Sequence, residues 1–180
     1  MPRRPTSADV ASEAGVSRTT VSFVLNGRTD IKIPPGEKMT IAVNGQQYVW
    51  RYGYPGKDRL LVYTDMVVPV GMTVLLDITA DDVVHSWWIP KLGGKFDAVP
   101  GYTNHTWFKI PGKLAGRTFT GQCAELCGRN HANMVARVTA LKPDQYEGWL
   151  DRQRNAIRRA DQAAQQQRKN VDAGKAPGPG

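Results

Sequence analysis

The pattern of apolar and polar positions changes character twice along the chain. Over residues 8–25, Val10, Ala11, Ala14, Val21, Val24 and Leu25 recur at helical spacing, interrupted at Gly15-Val16-Ser17, where Ser17 can cap a second helix. Two short helices joined by a turn are predicted. After Pro34-Pro35-Gly36 the pattern becomes one of short β-type runs bounded by Gly, Pro and Asp, at 39–43, 48–54, 60–63, 73–79, 83–88, 105–110, 118–121 and 134–141. These runs predict a mainly β domain built as an antiparallel barrel or sandwich. From Pro143 the spacing is helical again, with Tyr146, Trp149 and Leu150 placed to pack back on the barrel and Arg-rich turns following to about Arg168. Residues 171–180, rich in Gly and Pro and without an apolar anchor, are expected to be disordered. The expected division is a helix-turn-helix-like fragment at 1–33, a β domain at 34–142, a C-terminal helix at 143–170 and a tail.

Composition narrows the function classes. The 180 residues suffice for one moderate core. Lys and Arg outnumber Asp and Glu by 24 to 16, a net charge of +8, which invites a nucleic-acid reading. The charge is spread evenly, however: 5 basic residues face 3 acidic ones in 1–34, 11 face 8 in 35–141, and 8 face 5 in 142–180. No segment is a basic block. The longest charge-free stretch, 39–50, is 12 residues, and 66–76 is 11, well short of the roughly 18 needed to span a bilayer. Arg3 and Arg4 are followed by no apolar core or cleavage site. Neither a transmembrane helix nor an export signal is therefore expected in the chain as written.

The candidate chemistry lies in Cys123-Ala124-Glu125-Leu126-Cys127-Gly128-Arg129-Asn130-His131-Ala132-Asn133-Met134, which gathers two thiols, an imidazole and a thioether within twelve residues between two strands. His85 adds a second imidazole from the strand around Val83 and Val84. Thiolate, imidazole and thioether are soft and borderline ligands that suit copper, whereas a structural zinc site closes with four Cys or His and no Met. The plain alternatives are a loop disulfide between Cys123 and Cys127 and a core role for Met134. His105 lacks ligand spacing and reads as a solvated strand residue. Two thiolates with two imidazoles exceed the needs of a single blue-copper ion and allow two coppers to be bridged.

On these residues, together with Val84-His85-Ser86-Trp87-Trp88-Ile89-Pro90 and Pro100-Gly101, the chain resembles the copper A domain of cytochrome c oxidase subunit II over roughly residues 34–150. The resemblance implies a cupredoxin-like Greek-key β-barrel in which Cys123 and Cys127 bridge two copper ions. It implies that His85 and Met134 complete one copper, and His131 and the Glu125 backbone carbonyl the other. The Glu125 carboxylate would face a magnesium ion shared with the catalytic subunit. The implied activity is that of a subunit of a proton-translocating oxidoreductase, cytochrome-c oxidase. The chain itself would be an electron carrier between cytochrome c and the haem-containing subunit I, at the outer face of the bacterial cytoplasmic membrane. The family usually shows Gln-Trp-x-Trp where electrons enter; this chain reads Gln47-Tyr48-Val49-Trp50. Tyr48 and Trp50, Trp50 foremost, are expected to supply the apolar contact for the donor, and Asp77, Asp81, Asp82 and Asp97 the carboxylates that meet a basic cytochrome.

Residues 6–30 resemble the helix-turn-helix of lactose-repressor-type regulators. That resemblance implies base-reading positions at Arg18, Thr19 and Phe23, with Ser17 and Thr20 near phosphates. A complete headpiece needs a third helix; here Pro34-Pro35-Gly36 and a strand of the β domain stand in its place, and two helices of about ten residues are marginal alone. The segment reads as a fusion in the place of the membrane helices, with weak DNA binding. The alternative is a copper- or redox-responsive DNA-binding regulator.

Overall fold

The computed structural model describes residues 36–56 and 60–173, together with Ser12. Ser17, Arg18, Thr19, Thr20 and Phe23, and the tail from residue 174, lie outside the described residues. The chain divides between Lys142 and Pro143 into two compact units.

The first unit is mainly β. Its strands are β1 (Lys38–Gln46), β2 (Val49–Gly53), β3 (Leu61–Tyr63), β4 (Asp65–Pro69), β5 (Thr73–Ala80), β6 (His85–Trp88), β7 (Lys95–Ala98), β8 (Asn104–Lys109), β9 (Thr118–Cys123) and β10 (Val135–Leu141). They form two five-stranded sheets of order β3-β2-β1-β5-β8 and β4-β10-β9-β6-β7. Between the sheets β1 meets β6, β5 meets β7 and β2 meets β10.

Strict alternation is what makes most of these runs strands. In β5 the buried positions Val74, Leu76, Ile78 and Ala80 alternate with half-buried ones, as a sheet with one face on the core requires. The largest fully buried side chains, Trp50, Trp87, Tyr52 and Ile41, come from both sheets, and each contributes about 1.5–3 kcal/mol through the apolar surface it removes from water. Polar atoms inside are tied across the sheets. Trp87 Nε1 donates to Tyr52 Oη at 3.3 Å, and Tyr54 Oη both donates to the Val67 carbonyl (2.9 Å) and accepts from the Val67 amide (2.7 Å). Burial holds the Tyr52 phenol far above its ordinary pKa.

The arrangement corrects the expectation of a wholly antiparallel structure. β1 pairs with β5, and β4 with β10, in parallel. Parallel pairing needs a long connection, which β2 to β4 supply between β1 and β5. Two strands were missed. β4 is buried continuously from Met66 to Pro69, so it shows no period of two, and β7 is only four residues long with Lys95 and Asp97 in it.

The second unit is one helix, α1 (Pro143–Asp172), of 30 residues. Pro143 opens it where a missing N–H costs nothing, Asp144 lies in the first turn and Lys169 in the last, each of the sign that the helix dipole favours. Its buried residues are Tyr146 and Leu150, and the Tyr146 and Trp149 rings stack at 5.9 Å. The helix runs through Asp172, slightly past the expected limit at 170.

Candidate metal centre

The site forms where β6 and β9 pair antiparallel, with Trp87 opposite Cys123 and Trp88 opposite Gln122. This register sets Cys123, the last residue of β9, beside His85, the first residue of β6. The following loop is pinned at its start, where the Ala124 amide donates to the Ser86 carbonyl at 2.8 Å and the Cys123 amide to the Met134 carbonyl at 2.8 Å. It closes in a single 3₁₀ turn, His131–Asn133, in which the Met134 amide bonds back to the His131 carbonyl at 3.1 Å. The loop therefore leaves the sheet and returns to β10 having turned Cys127, His131 and Met134 inward.

The donor atoms converge. One ligand atom each from His85, Cys123 and Cys127 lies within 4.8 Å of the others, and all three residues are buried. Cys123 Sγ is 3.9 Å from His85 Nδ1 and 3.2 Å from the Glu125 carbonyl oxygen. Cys127 Sγ is 3.5 Å from His131 Nδ1 and 3.8 Å from Met134 Sδ. Cys123 and Cys127 are free thiols. His131 reaches the cluster through Cys127 and is half-buried; Met134 is fully buried.

Electrostatics separate the two thiols. Burial raises the Cys123 pKa, but hydrogen bonding to His85 and to the backbone at Ser86 and Glu125 outweighs it and holds the thiol below its ordinary value. Burial and the neighbouring Cys123 thiolate push Cys127 up to about 12. Burial works against the His85 cation, yet its bonds to Cys123 and Asp82 prevail and raise its pKa. Glu125 is raised by burial and then by Asp97.

Two contributors went unrecognised from the sequence. Asp82, expected only as a docking carboxylate, accepts from His85 Nε2 at 2.8 Å, which leaves Nδ1 turned toward the thiols. Gln47, in the turn between β1 and β2, donates through Nε2 to the Cys127 carbonyl at 2.6 Å. A carboxylate three residues before a ligand histidine was the available signal for Asp82; nothing local marks Gln47.

The expected contact of Trp50 with a donor is corrected. Trp50 is 0% exposed, so its indole cannot touch another protein. It lies edge-on to His85 with ring centroids 5.9 Å apart, in space left by Gly45, where a Cβ would come within 2.9 Å of His85 Cδ2 and 3.1 Å of Trp50 Cζ3. Tyr48 is half-buried, with its hydroxyl against Gly128 of the metal loop. Among the expected docking carboxylates, Asp97 is 6% exposed and belongs to the interior. Asp77 pairs with His105 at 2.8 Å and Asp81 with Arg51 at 3.0 Å.

The donor set suits a soft metal: two thiols, two imidazoles, a thioether and a peptide carbonyl are more than one tetrahedral zinc accepts, and a thioether beside thiolates suits copper.

Comparison with known proteins agrees. A family model for the periplasmic domain of cytochrome C oxidase subunit II matches residues 56–141. A second, for bacterial regulatory proteins of the lacI family, matches residues 6–49, a span that runs through β1, where a strand replaces helix. Cytochrome c oxidase subunit 2 of Alkalihalophilus pseudofirmus is 42% identical over 113 residues, 62% of this chain and 31% of that protein. Its counterpart in Cereibacter sphaeroides is 33% identical over 157 residues, 67% of this chain and 51% of that protein. The chain thus spans about a third to a half of the length of these curated relatives. The crystal structure of the periplasmic domain of subunit II of cytochrome oxidase from Bradyrhizobium japonicum is similar at a TM-score of 0.63 and 30% identity, covering 69% of this chain and 99% of that one. A mixed disulfide intermediate between a thioredoxin-like protein and subunit II of cytochrome c oxidase is similar at 0.60 and 29%, covering 71% and 98%.

Proposed function

The chain belongs to the cytochrome c oxidase subunit II family, matching its periplasmic domain, and from that premise we propose that it accepts single electrons from cytochrome c at a binuclear copper A centre and passes them to a haem-containing catalytic subunit. One observation carries the reading: two buried thiols and a buried imidazole lie within 4.8 Å of one another, with His131 and Met134 set against the second thiol.

Cys123, Cys127, His85, Met134, His131 and the Glu125 carbonyl would hold two copper ions. When bound, such a pair takes up and releases one electron spread over both ions, so that ligand distances change little. The protein's own part is to hold that geometry and exclude water. β6 and β9 fix Cys123 and His85, the loop and its 3₁₀ turn bring in the remaining donors, and burial keeps the thiols from bulk solvent. Asp82 holds the His85 ring by Nε2 and keeps Nδ1 free for metal. Loading displaces the protons of the metal-free site, so copper uptake strengthens as pH rises. Tyr48, half-buried with its hydroxyl against Gly128, and Leu126, next to Cys127 in the chain and 79% exposed, would offer the donor its apolar contact. The Glu125 carboxylate, raised by burial and by Asp97, supports a magnesium ion shared with the catalytic subunit, since a cation would relieve two close carboxylates. The match to a periplasmic-domain family supports a position at the outer face of the bacterial cytoplasmic membrane; among the described residues no helix is long and apolar enough to cross a membrane.

Metal analysis of the copper-loaded chain tests the proposal. Two coppers per chain, with intense visible absorption in the half-reduced form, are expected; one zinc and no copper would refute it.

A second reading, DNA binding through residues 6–30 with Arg18 and Thr19 reading bases, rests only on the lacI match. Because β1 stands where the headpiece would continue, binding is expected to be weak, insensitive to sequence and lost as salt rises. Tight, salt-tolerant binding to one palindromic site would establish the regulator instead.

A further inference from the structure

We propose that Gln47 is a positioning residue that braces the two ligand-bearing segments of the metal centre against each other, an inference that rests on the copper reading above. Gln47 lies in the turn between β1 and β2, on a part of the chain that supplies no ligand. Its main-chain N–H donates to Asp82 Oδ2 at 2.7 Å, and the other oxygen of that carboxylate holds His85 Nε2 at 2.8 Å. Its side-chain Nε2 donates to the Cys127 carbonyl at 2.6 Å. One residue thus joins the segment that carries His85 to the loop that carries Cys127.

The brace acts where the sheet cannot. Pairing of β6 with β9 fixes Cys123 opposite Trp87, but Cys127 lies four residues further on, beyond the end of β9. Downstream, the bond from the His131 amide to the Gly128 carbonyl, 3.1 Å, ties the loop only to itself. The Gln47 bond is a cross-link from Cys127 to the hairpin of the opposite sheet. Gly128 makes room for it: at φ +135° it carries no side chain, and a Cβ there would come within 2.9 Å of Gln47 Nε2 and 2.5 Å of Tyr48 Oη. The turn and the metal loop therefore approach closely at two consecutive residues, Gln47 and Tyr48. Groups that orient metal ligands from outside the coordination sphere change metal affinity about 10–100-fold when removed. Gln47 reaches one ligand through its carbonyl and the other through Asp82, and only the first of these contacts uses its side chain.

The test uses the full chain loaded with copper and follows withdrawal of copper(I) by a chromophoric chelator, together with the visible spectrum of the half-reduced form. Gln47→Glu keeps the size of the side chain and removes the donor facing the Cys127 carbonyl; Gln47→Ala removes both. Both variants should release copper about tenfold faster than wild type and show a shifted spectrum, while the melting temperature of the metal-free chain falls by no more than about 5 °C, the scale of one lost hydrogen bond. Gly128→Ala, which displaces the same contact from the loop side, should act in the same direction. Gln46→Ala, in the same hairpin, should release copper at the wild-type rate. The proposal is overturned if Gln47→Glu and Gln47→Ala both match wild type in release rate and spectrum, or if Gln46→Ala accelerates release equally, which would indicate general loosening of the hairpin. Failure of the wild-type chain to take up copper would refute the functional reading itself, a separate result from either.

Discussion

His85 is gripped from behind by Asp82: the carboxylate accepts a hydrogen bond from Nε2–H at 2.8 Å, so the ring presents Nδ1 to the thiols with its rotation already set. Asp82 is itself held by the amides of Gln47 and Val83, each at 2.7 Å. These bonds outweigh its partial burial and keep it below the ordinary carboxylate range.

Asp82→Asn should therefore weaken copper binding by about 10–100-fold while leaving the fold intact, because an amide cannot accept from Nε2 and from two main-chain donors in the same way. Competition with a chelator of known affinity measures this. An unchanged affinity would mean that the His85 ring is oriented by its packing alone.

The two thiols and the thioether should respond differently. Cys123→Ser or Cys127→Ser should abolish the absorption of the half-reduced pair, since no other thiol stands nearby. Met134→Leu conserves volume in a fully buried position and should cost less than about 1.5 kcal/mol in stability. It should retain copper and shift its reduction potential, because a thioether is a weak ligand whose loss would tune the centre rather than empty it. Titration of copper per chain beside redox potentiometry separates these outcomes.

Trp50 and Tyr48 divide into a core residue and a surface residue. Trp50→Ala should destabilise the metal-free chain by about 3–5 kcal/mol in urea unfolding, the cost of emptying a fully buried aromatic site. Tyr48→Ala should cost about 1 kcal/mol or less but slow electron uptake from reduced cytochrome c. If Tyr48→Ala leaves that rate unchanged with the copper spectrum intact, electrons arrive by another face.

Electron transfer from a basic cytochrome should depend only weakly on ionic strength. Asp97 is buried, while Asp77 and Asp81 are paired with His105 and Arg51 and Asp82 is committed to His85. Few opposed charges remain to steer the encounter. Stopped-flow rates that fall steeply with salt would show a carboxylate cluster outside this group.

Much of this architecture is local and was legible along the chain. The alternation in β5 and β10, the helical spacing after Pro143 and the spacing of Cys123, Cys127, His131 and Met134 each depend on neighbours a few residues away, where backbone geometry imposes its own period. β4 carried no such signal, because a strand buried on both faces loses the contrast between inside and outside. The parallel pairings of β1 with β5 and of β4 with β10 were equally hidden, since they join segments distant in sequence and follow from closing both sheets around one core. The same distance conceals the roles of single residues. Trp50 reads as a surface aromatic until the second sheet covers it. Asp82 reads as a docking carboxylate and Gln47 as the start of the entry motif until folding carries them to His85 and Cys127. The sequence by itself determined which donors the chain offers and the elements that bear them. Their convergence, and the groups that hold them there, were decided only by tertiary structure, because a hydrogen bond between residues 35 or 80 positions apart exists only once the sheets have packed.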